Sequence, residues 1–443
     1  MENIIESKIF DIANTLRSKF SYEEYTDLCI YFIFLKYVLD NEKLSYDKDT
    51  FALQRMFDRG ELNEEALYKV SRTLEKQYKF PPSSLVDLVE SYLRVSERYE
   101  TDSLTNNMMG VLENVSFKNQ SEVVVKGIVN LLYSAAYSFG RIMGEKISKK
   151  SIALLVKSLI ELKDGEKFAD FAYGFGISTL EITKGIECEI TGYEINRSSV
   201  AIGIILLVIL EKENFIIHMQ DTLKFPIEEE SFDKIVTIPP LGMKVYDEVS
   251  QSKHLLEKFD LPSYNYNLEV YMILNSILAL KEQGKAIITV SSSVLFMQTK
   301  AAKSIRKLLV EKYLQAVVQL PALYYGTSVS TVMLILKKDR ISDQIQFIDA
   351  ATNKFFVFSE NTKKNHIELT DSGIQKIIQI YQKKQDVEGI SFVADTNEIE
   401  QNEFSLVPEK YIKVKEVREY ISNDEIDQRL QELYGELKNM IQN

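Results

Sequence analysis

Only two cysteines and three histidines occur in 443 residues, and they lie scattered: Cys29 and Cys188, then His218, His254 and His366. None of their spacings is that of a disulfide framework or a zinc site, so neither a structural disulfide nor a metal centre is expected. Long apolar runs are also missing. The most apolar stretch, Val200 to Leu210, has eleven residues, well short of the ~18 to 20 that cross a bilayer, and it reads as a buried helix. A basic leader is lacking too. MENIIESKIF carries Glu2 and Glu6, and no small-residue cleavage site follows an apolar run, so no export is expected and the chain reads as cytoplasmic, with no membrane partner. Positive charge is in deficit: the net charge of −12 excludes a general polycationic coat for nucleic acid. If DNA is the partner, a local basic face or another subunit has to supply the contacts.

What remains is an ordinary globular composition, 45% apolar and 27% charged, in a chain longer than one core usually fills. Two or three domains are therefore expected, divided as 1–142, 143–349 and 350–443. In the first, apolar positions recur at helical spacing: Ile5, Ile9, Ile12, Ala13 and Leu16, then Leu28, Phe32, Leu35, Tyr37 and Leu39 after a start at Ser21. Pro81 and Pro82 break a later helix pair, and Gly140 and Gly144 lead out of the domain. From about Ile152 the period changes. Short β-rich runs (Lys167 to Ala172, Cys188 to Tyr193, Asn214 to Met219, Asp233 to Thr237, Lys285 to Ser291, Gln315 to Leu320, Thr331 to Leu336) alternate with helical stretches such as Ser198 to Glu211 and Leu268 to Leu280. That alternation predicts an α/β fold with a parallel-type sheet covered on both faces. After Ile345 one more short strand and helices, including Ser372 to Tyr381, are expected.

The tail has the clearest pattern. Ser422 and Glu425 form a capping box, and Ile426, Leu430, Leu433, Leu437 and Met440 follow at spacings of four and three. Such a narrow seam suits a helix docked on its own protein or on a partner helix. A second candidate contact is the run Lys300, Lys303, Arg306, Lys307, whose spacing places charges along one side of a helix; a solvated face is the plain alternative.

Two local motifs carry chemistry. Asp170-Phe-Ala-Tyr-Gly-Phe-Gly176 follows the first strand and leads into a helix, and Glu194 ends the next strand. In a doubly wound sheet such glycines let backbone approach a ligand while a carboxylate accepts from ribose hydroxyls, an arrangement suited to a nucleoside cofactor. A lone Gly-x-Gly is also an ordinary tight turn. Asp221, closing the third strand, is placed either to accept from an adenine amino group or to cap a helix. The second motif is the run Asp233-Lys-Ile-Val-Thr-Ile-Pro-Pro-Leu-Gly-Met243, a buried strand that exits into two prolines.

Together these features resemble the methylation (modification) subunit of type I restriction-modification systems, a family of S-adenosylmethionine-dependent, adenine-specific DNA methyltransferases. Ala13-Asn-Thr-Leu-Arg-Ser18 and Ile33-Phe-Leu-Lys-Tyr37 are similar to the family's helical region. Leu320-Pro-Ala-Leu-Tyr-Tyr-Gly-Thr-Ser328, with Val332-Met-Leu-Ile-Leu-Lys337, and Asn365-His-Ile-Glu-Leu-Thr370 are similar to its later segments. The resemblance implies a Rossmann-like class I methyltransferase sheet with an N-terminal helical domain and a C-terminal helical tail. It also implies DNA and a specificity-type subunit as partners, and leaves room for a homo-oligomer. By the same resemblance Ser148, Asp170, Ala172, Gly174, Gly176, Glu194 and Asp221 correspond to cofactor-binding positions, and Ile238, Pro239, Pro240 and Leu241 to the catalytic ones. No metal is implied.

The departures fall on the chemistry. The family's glycine loop is usually Asp-Pro-Ala-Cys-Gly-Thr-Gly-Gly; here Phe175 replaces Thr and Ile177 replaces Gly. Of its Gly-Glu-Phe-Tyr-Thr-Pro stretch only Gly144, Glu145 and the Ser148 hydroxyl correspond. The proline exit is usually Asn-Pro-Pro-Tyr or Asn-Pro-Pro-Phe. There the Asn oxygen and the first proline's carbonyl accept the protons of a flipped adenine's amino group, and the aromatic ring stacks on the base. Ile238 has no acceptor and Leu241 no π face. Losing one such preorganised group typically slows chemistry ~100-fold to 1,000-fold, and losing the platform weakens base capture by roughly 1 to 3 kcal/mol. Three readings follow: a methylation-subunit relative that acts by binding, with catalysis weakened or gone; a working adenine methyltransferase in which Thr237 or a nearby carbonyl supplies the acceptor; or a methyltransferase for a small molecule or protein.

Overall fold

Each β-rich run expected from the sequence becomes a strand of one sheet. The strands are β1 (Lys167–Asp170), β2 (Glu189–Glu194), β3 (Phe215–Met219), β4 (Phe232–Thr237), β5 (Leu280–Ser291), β6 (Leu314–Leu320), β7 (Thr331–Lys337), β8 (Gln344–Asp349), β9 (Phe356–Ser359), β10 (His366–Leu369) and β11 (Ser391–Asp395). Nine of them form a sheet of order β11-β8-β6-β7-β5-β4-β1-β2-β3, and β9 with β10 makes a separate two-stranded ribbon. The computed structural model describes residues 2–17, 21–44, 64–88, 110–140, 146–245, 250–264, 266–352, 354–359 and 366–413, together with 51, 53–55, 57, 58, 90, 108, 428–431 and 433.

Alternate side chains along the central strands go to opposite cores, as period-two pleating requires. Phe168 and Ile287 join the cluster on one face, whereas Ala169, Ala286 and Ile288 join the cluster on the other. The first face is covered by α1 (Glu2–Arg17), α2 (Tyr22–Asp40), α3 (Ser121–Phe139), α4 (Lys150–Ile160), α5 (Ile177–Thr183) and α6 (Arg197–Ile209). The second is covered by α7 (Leu268–Ala279) and α8 (Lys300–Leu308), while α9 (Asp371–Lys383) returns to the first. Helix α6 is apolar on every side because it is sandwiched: residues 199–209 are all buried, between the sheet and the N-terminal helices. The Asn196 side chain caps it by accepting from the Ser199 amide at 2.9 Å. Tyr37 on α2 donates to the Ile209 carbonyl at 3.1 Å and satisfies a C-terminal acceptor of α6, so the helical layer and the sheet share one hydrogen-bonded contact as well as a core.

Three expectations are corrected. The sheet is mixed rather than parallel throughout, because β7 runs antiparallel to both β5 and β6 and β11 antiparallel to β8. Only residues 321–330 separate β6 from β7, fewer than a parallel crossover needs, so the chain can only double back. The segment after Ile345 holds most of β8 and three further strands instead of one, and β11 extends the main sheet. The third correction concerns Lys300, Lys303, Arg306 and Lys307 as a charged face. Arg306 is fully buried and donates to the carbonyls of Phe404 at 2.8 Å and Met297 at 2.9 Å, while Lys303 pairs with Glu403 at 2.7 Å and Lys307 with Glu311 at 3.5 Å. The apolar periodicity of the tail falls mainly outside the described residues; Leu430 and Leu433 are helical and exposed. Among the described residues no helix is long and apolar enough to cross a membrane, and no group of His, Cys, Asp or Glu could hold a metal ion.

Candidate functional site

In this strand order the chain turns from β1–β2–β3 on one side to β4–β5 on the other, and the crevice of such a sheet opens at the carboxyl ends of β1 and β4. Both motifs sit there. The glycine loop leaves β1, the prolines leave β4, and one cleft is lined by Ser148, Asp170, Ala172, Tyr173, Ile177, Ile238 and Tyr324 among others. The strand topology therefore brings four of the sequence-derived site residues, Ser148, Asp170, Ala172 and Ile238, to a common surface. Gly174 and Glu194 are joined to each other just behind it, and Asp221 stands apart at the exit of β3.

The cleft is narrow. Its volume is about 20 Å³, room for one water molecule, whereas pockets for ligands of nucleoside size measure roughly 300 Å³ and upward. Tyr173 fills the space beneath it. Its ring lies where a Cβ on Gly176, Gly192 or Gly203 would come within 2.3, 2.6 or 2.4 Å, so glycines from the loop, β2 and α6 form a slot that this side chain fills. Its hydroxyl is buried and has no hydrogen-bond partner. On the other side the segment 146–148 presses onto the loop. The Phe175 amide donates to the Lys146 carbonyl at 3.3 Å, the buried Phe175 ring lies 5.9 Å from the Lys146 ammonium, and a Cβ on Gly174 would lie 2.4 Å from the Lys146 oxygen. The Ser148 hydroxyl is hydrogen-bonded to that of Ser178.

The carboxylates of the site are occupied by the protein itself. Asp170 is buried and accepts from the Ala172 amide at 3.1 Å and the Thr179 hydroxyl at 2.7 Å. Glu194 accepts from the Gly174 amide at 2.9 Å through one oxygen and from the Asn196 amide at 2.7 Å through the other. Asp221 accepts from the Leu223 amide at 2.9 Å, an Asx turn rather than a helix cap. Burial pushes the Asp170 carboxyl up to about 6, its two hydrogen bonds opposing this only in part. Because the native value lies above the ordinary 3.8, the folded state holds the proton longer than the unfolded chain. The contribution of Asp170 to stability consequently falls as pH rises from about 4 to about 6, by roughly 2 to 3 kcal/mol, and is constant above that. Urea unfolding of wild type and Asp170→Asn at pH 4 and pH 7 is expected to show the variant gaining that much on the wild type; a gap independent of pH contradicts the assignment.

At the proline exit, Pro239 is buried and Ile238, Pro240 and Leu241 are half-buried. The Pro239 carbonyl already accepts one hydrogen bond, from Tyr324 at 3.1 Å. A carbonyl can only accept, so the single phenolic proton points at Pro239, and Thr289, 2.6 Å from the same phenol oxygen, is the donor in that second bond. Burial raises the Tyr324 phenol far above its ordinary range, which keeps it a donor at any physiological pH. Behind the prolines Glu269, fully buried, accepts from the Gly242 and Ser291 amides, each at 3.0 Å, and pins the turn. Thr237 is fully buried and its hydroxyl has no partner, so it does not reach the cleft as a substitute acceptor. Sequence reasoning missed Tyr173, Tyr324, Glu269 and the receiving glycines Gly192 and Gly203. The available signals were a bulky aromatic inside a glycine loop and the tyrosine pair of the segment Leu320 to Ser328.

Comparison with known proteins bears on the family and the fold. The N-6 DNA methylase family profile matches residues 130–420, and the HsdM N-terminal domain profile matches residues 5–159. The type I restriction enzyme MjaVIII methylase subunit of Methanocaldococcus jannaschii is 28% identical over 371 residues, covering 72% of this chain; the chain spans 62% of that relative's length. In fold, the chain is similar to the methyltransferase subunit of a type I restriction-modification system from Streptococcus thermophilus, with a TM-score of 0.78 at 21% identity over 94% of this chain and 100% of the other. It also matches a class I S-adenosylmethionine-dependent methyltransferase from Listeria monocytogenes, with a TM-score of 0.51 at 15% identity over 86% and 98%. The sheet and its helical N-terminal layer are thus a class I methyltransferase architecture, whose implied cofactor is S-adenosylmethionine. The cleft lined by Ser148, Asp170, Ala172 and Ile238 does not fit that donor as it stands: Tyr173 fills the slot beneath the loop, and the space among the lining residues is that of one water.

Proposed function

The chain belongs to the N-6 DNA methylase family, and from that premise we propose that it is a methylation-subunit-like scaffold of a type I restriction-modification system that acts by assembly and has lost methyl transfer. The observation that carries this reading is the Tyr324 hydroxyl on the Pro239 carbonyl. In adenine chemistry that oxygen and the residue before it share the two protons of the reacting amine; here one lone pair of the oxygen is used by Tyr324, and Ile238 offers no second acceptor. The narrow donor cleft supports the same conclusion independently. The partners of the reading are a specificity-type subunit, which would select the DNA, and DNA itself. The terminal helix proposed from Ile426, Leu430, Leu433, Leu437 and Met440 would dock on the partner.

Co-expression with a specificity-type subunit from the same genome is the test. Co-purification that depends on residues 422–443, with no transfer of labelled methyl groups to mixed-sequence DNA, is expected. Methylated adenine in that assay contradicts the loss of catalysis, and failure to co-purify contradicts the assembly role.

A further inference from the structure

A cavity of about 510 Å³ lies at the opposite end of the sheet from the glycine loop, at the amino ends of β1 and β4. Its floor is a row of like charges. Strand register places Lys234 on β4 directly beside Lys285 on β5, and Lys285 directly beside Lys337 on β7. Registered neighbours share a face of the sheet, and identical charges set side by side repel. With Lys163 and Lys384 the lining holds five lysines against the three carboxylates of Glu161, Glu166 and Asp233, in a chain whose net charge is −12. Lys285 is almost buried, with the Glu161 carboxylate at 3.0 Å and the Tyr381 ring centroid at 5.0 Å, while Lys234 and Lys337 have longer pairs, with Glu166 at 3.8 Å and Asp339 at 3.5 Å. Gln346, 3% exposed in the same lining, donates to the Ile380 carbonyl at 2.9 Å, yet its side-chain oxygen is buried with no partner. Each lysine of the row has one carboxylate partner, two of them at long range, and the lining as a whole stays cationic, which favours an anionic ligand.

We propose that this cavity binds a phosphate-bearing small molecule of nucleotide size, its phosphates on Lys234, Lys285 and Lys337. The volume falls within the range of ligand pockets, and amide side chains interleaved with ammonium groups suit a charged, hydrogen-bonding ligand over an apolar one. The assignment is independent of whether methyl transfer survives, since it uses none of the crevice residues.

Calorimetric titration of the full chain with inorganic pyrophosphate and with adenosine triphosphate tests it. Saturable binding with a dissociation constant below about 1 mM is expected. Lys337→Glu should weaken it at least ~10-fold, and Glu161→Gln, which releases Lys285 from its carboxylate, should tighten it ~3-fold or more. The second variant removes no packing, so it decides the matter even if the first unfolds. Absence of saturable binding, an affinity indifferent to Glu161→Gln, or displacement of adenosine triphosphate by a short DNA duplex would overturn the proposal, the last because the phosphates would then belong to a nucleic-acid backbone.

Discussion

Tyr173→Ala is expected to lower the unfolding free energy by about 3 to 5 kcal/mol, while Tyr173→Phe leaves it unchanged or raises it by a few tenths. The contrast follows from what the side chain does. The ring occupies a slot made by three glycines, and its removal leaves a cavity that β2 and α6 cannot collapse into without moving backbone. The hydroxyl has no partner in that slot, so losing it removes a desolvated polar group. Were the Tyr173 hydroxyl instead engaged in a hydrogen bond, Phe would cost about 1 kcal/mol. Urea unfolding of the three proteins by far-ultraviolet circular dichroism separates the two cases.

The second large effect is expected at Arg306. Its guanidinium is fully buried and its hydrogen bonds go to the carbonyls of Phe404, Met297 and Val294, with no carboxylate among these acceptors. It is a clamp that joins α8 to the residues before it and to the turn near Phe404. Arg306→Ala strands those acceptors and leaves a cavity, for an expected loss of about 3 to 5 kcal/mol. Arg306→Lys should cost nearly as much, because an ammonium cannot reproduce a planar fork that reaches separate carbonyls. Unfolding midpoints in guanidinium chloride measure this; a loss under about 1 kcal/mol for Ala would return Arg306 to the solvated, charged face read from the sequence.

How much was legible before the structure follows from where the signals are local. The seven β-rich runs and the wholly apolar α6 are set by the period of apolar residues within each segment, and they emerged close to their expected positions. Strand direction is not local. That β7 runs against its neighbours depends on the brevity of residues 321–330, and that β11 reaches the sheet edge depends on which strand remains open to pair with it. The same division holds at the candidate site. Asp170, Ala172, Ser148 and Ile238 were named from motif and resemblance and do share a cleft. The groups that narrow it were not named, because Tyr324 meets Pro239 across 85 residues and Tyr173 meets Gly192 and Gly203 through the packing of β2 and α6. A periodic charge pattern misled at Arg306 for a related reason: helical spacing gives the face a residue occupies, and what covers that face comes from elsewhere in the chain.

The central claim is that the protein's own side chains occupy the donor end of the crevice, with Tyr324 holding the Pro239 carbonyl. Titration of the full chain with S-adenosylmethionine by calorimetry tests it most directly. No saturable heat is predicted up to millimolar ligand, with the thermal midpoint unmoved. A dissociation constant in the micromolar range, with the midpoint rising as ligand is added, would mean that the crevice opens to its donor and would contradict this account.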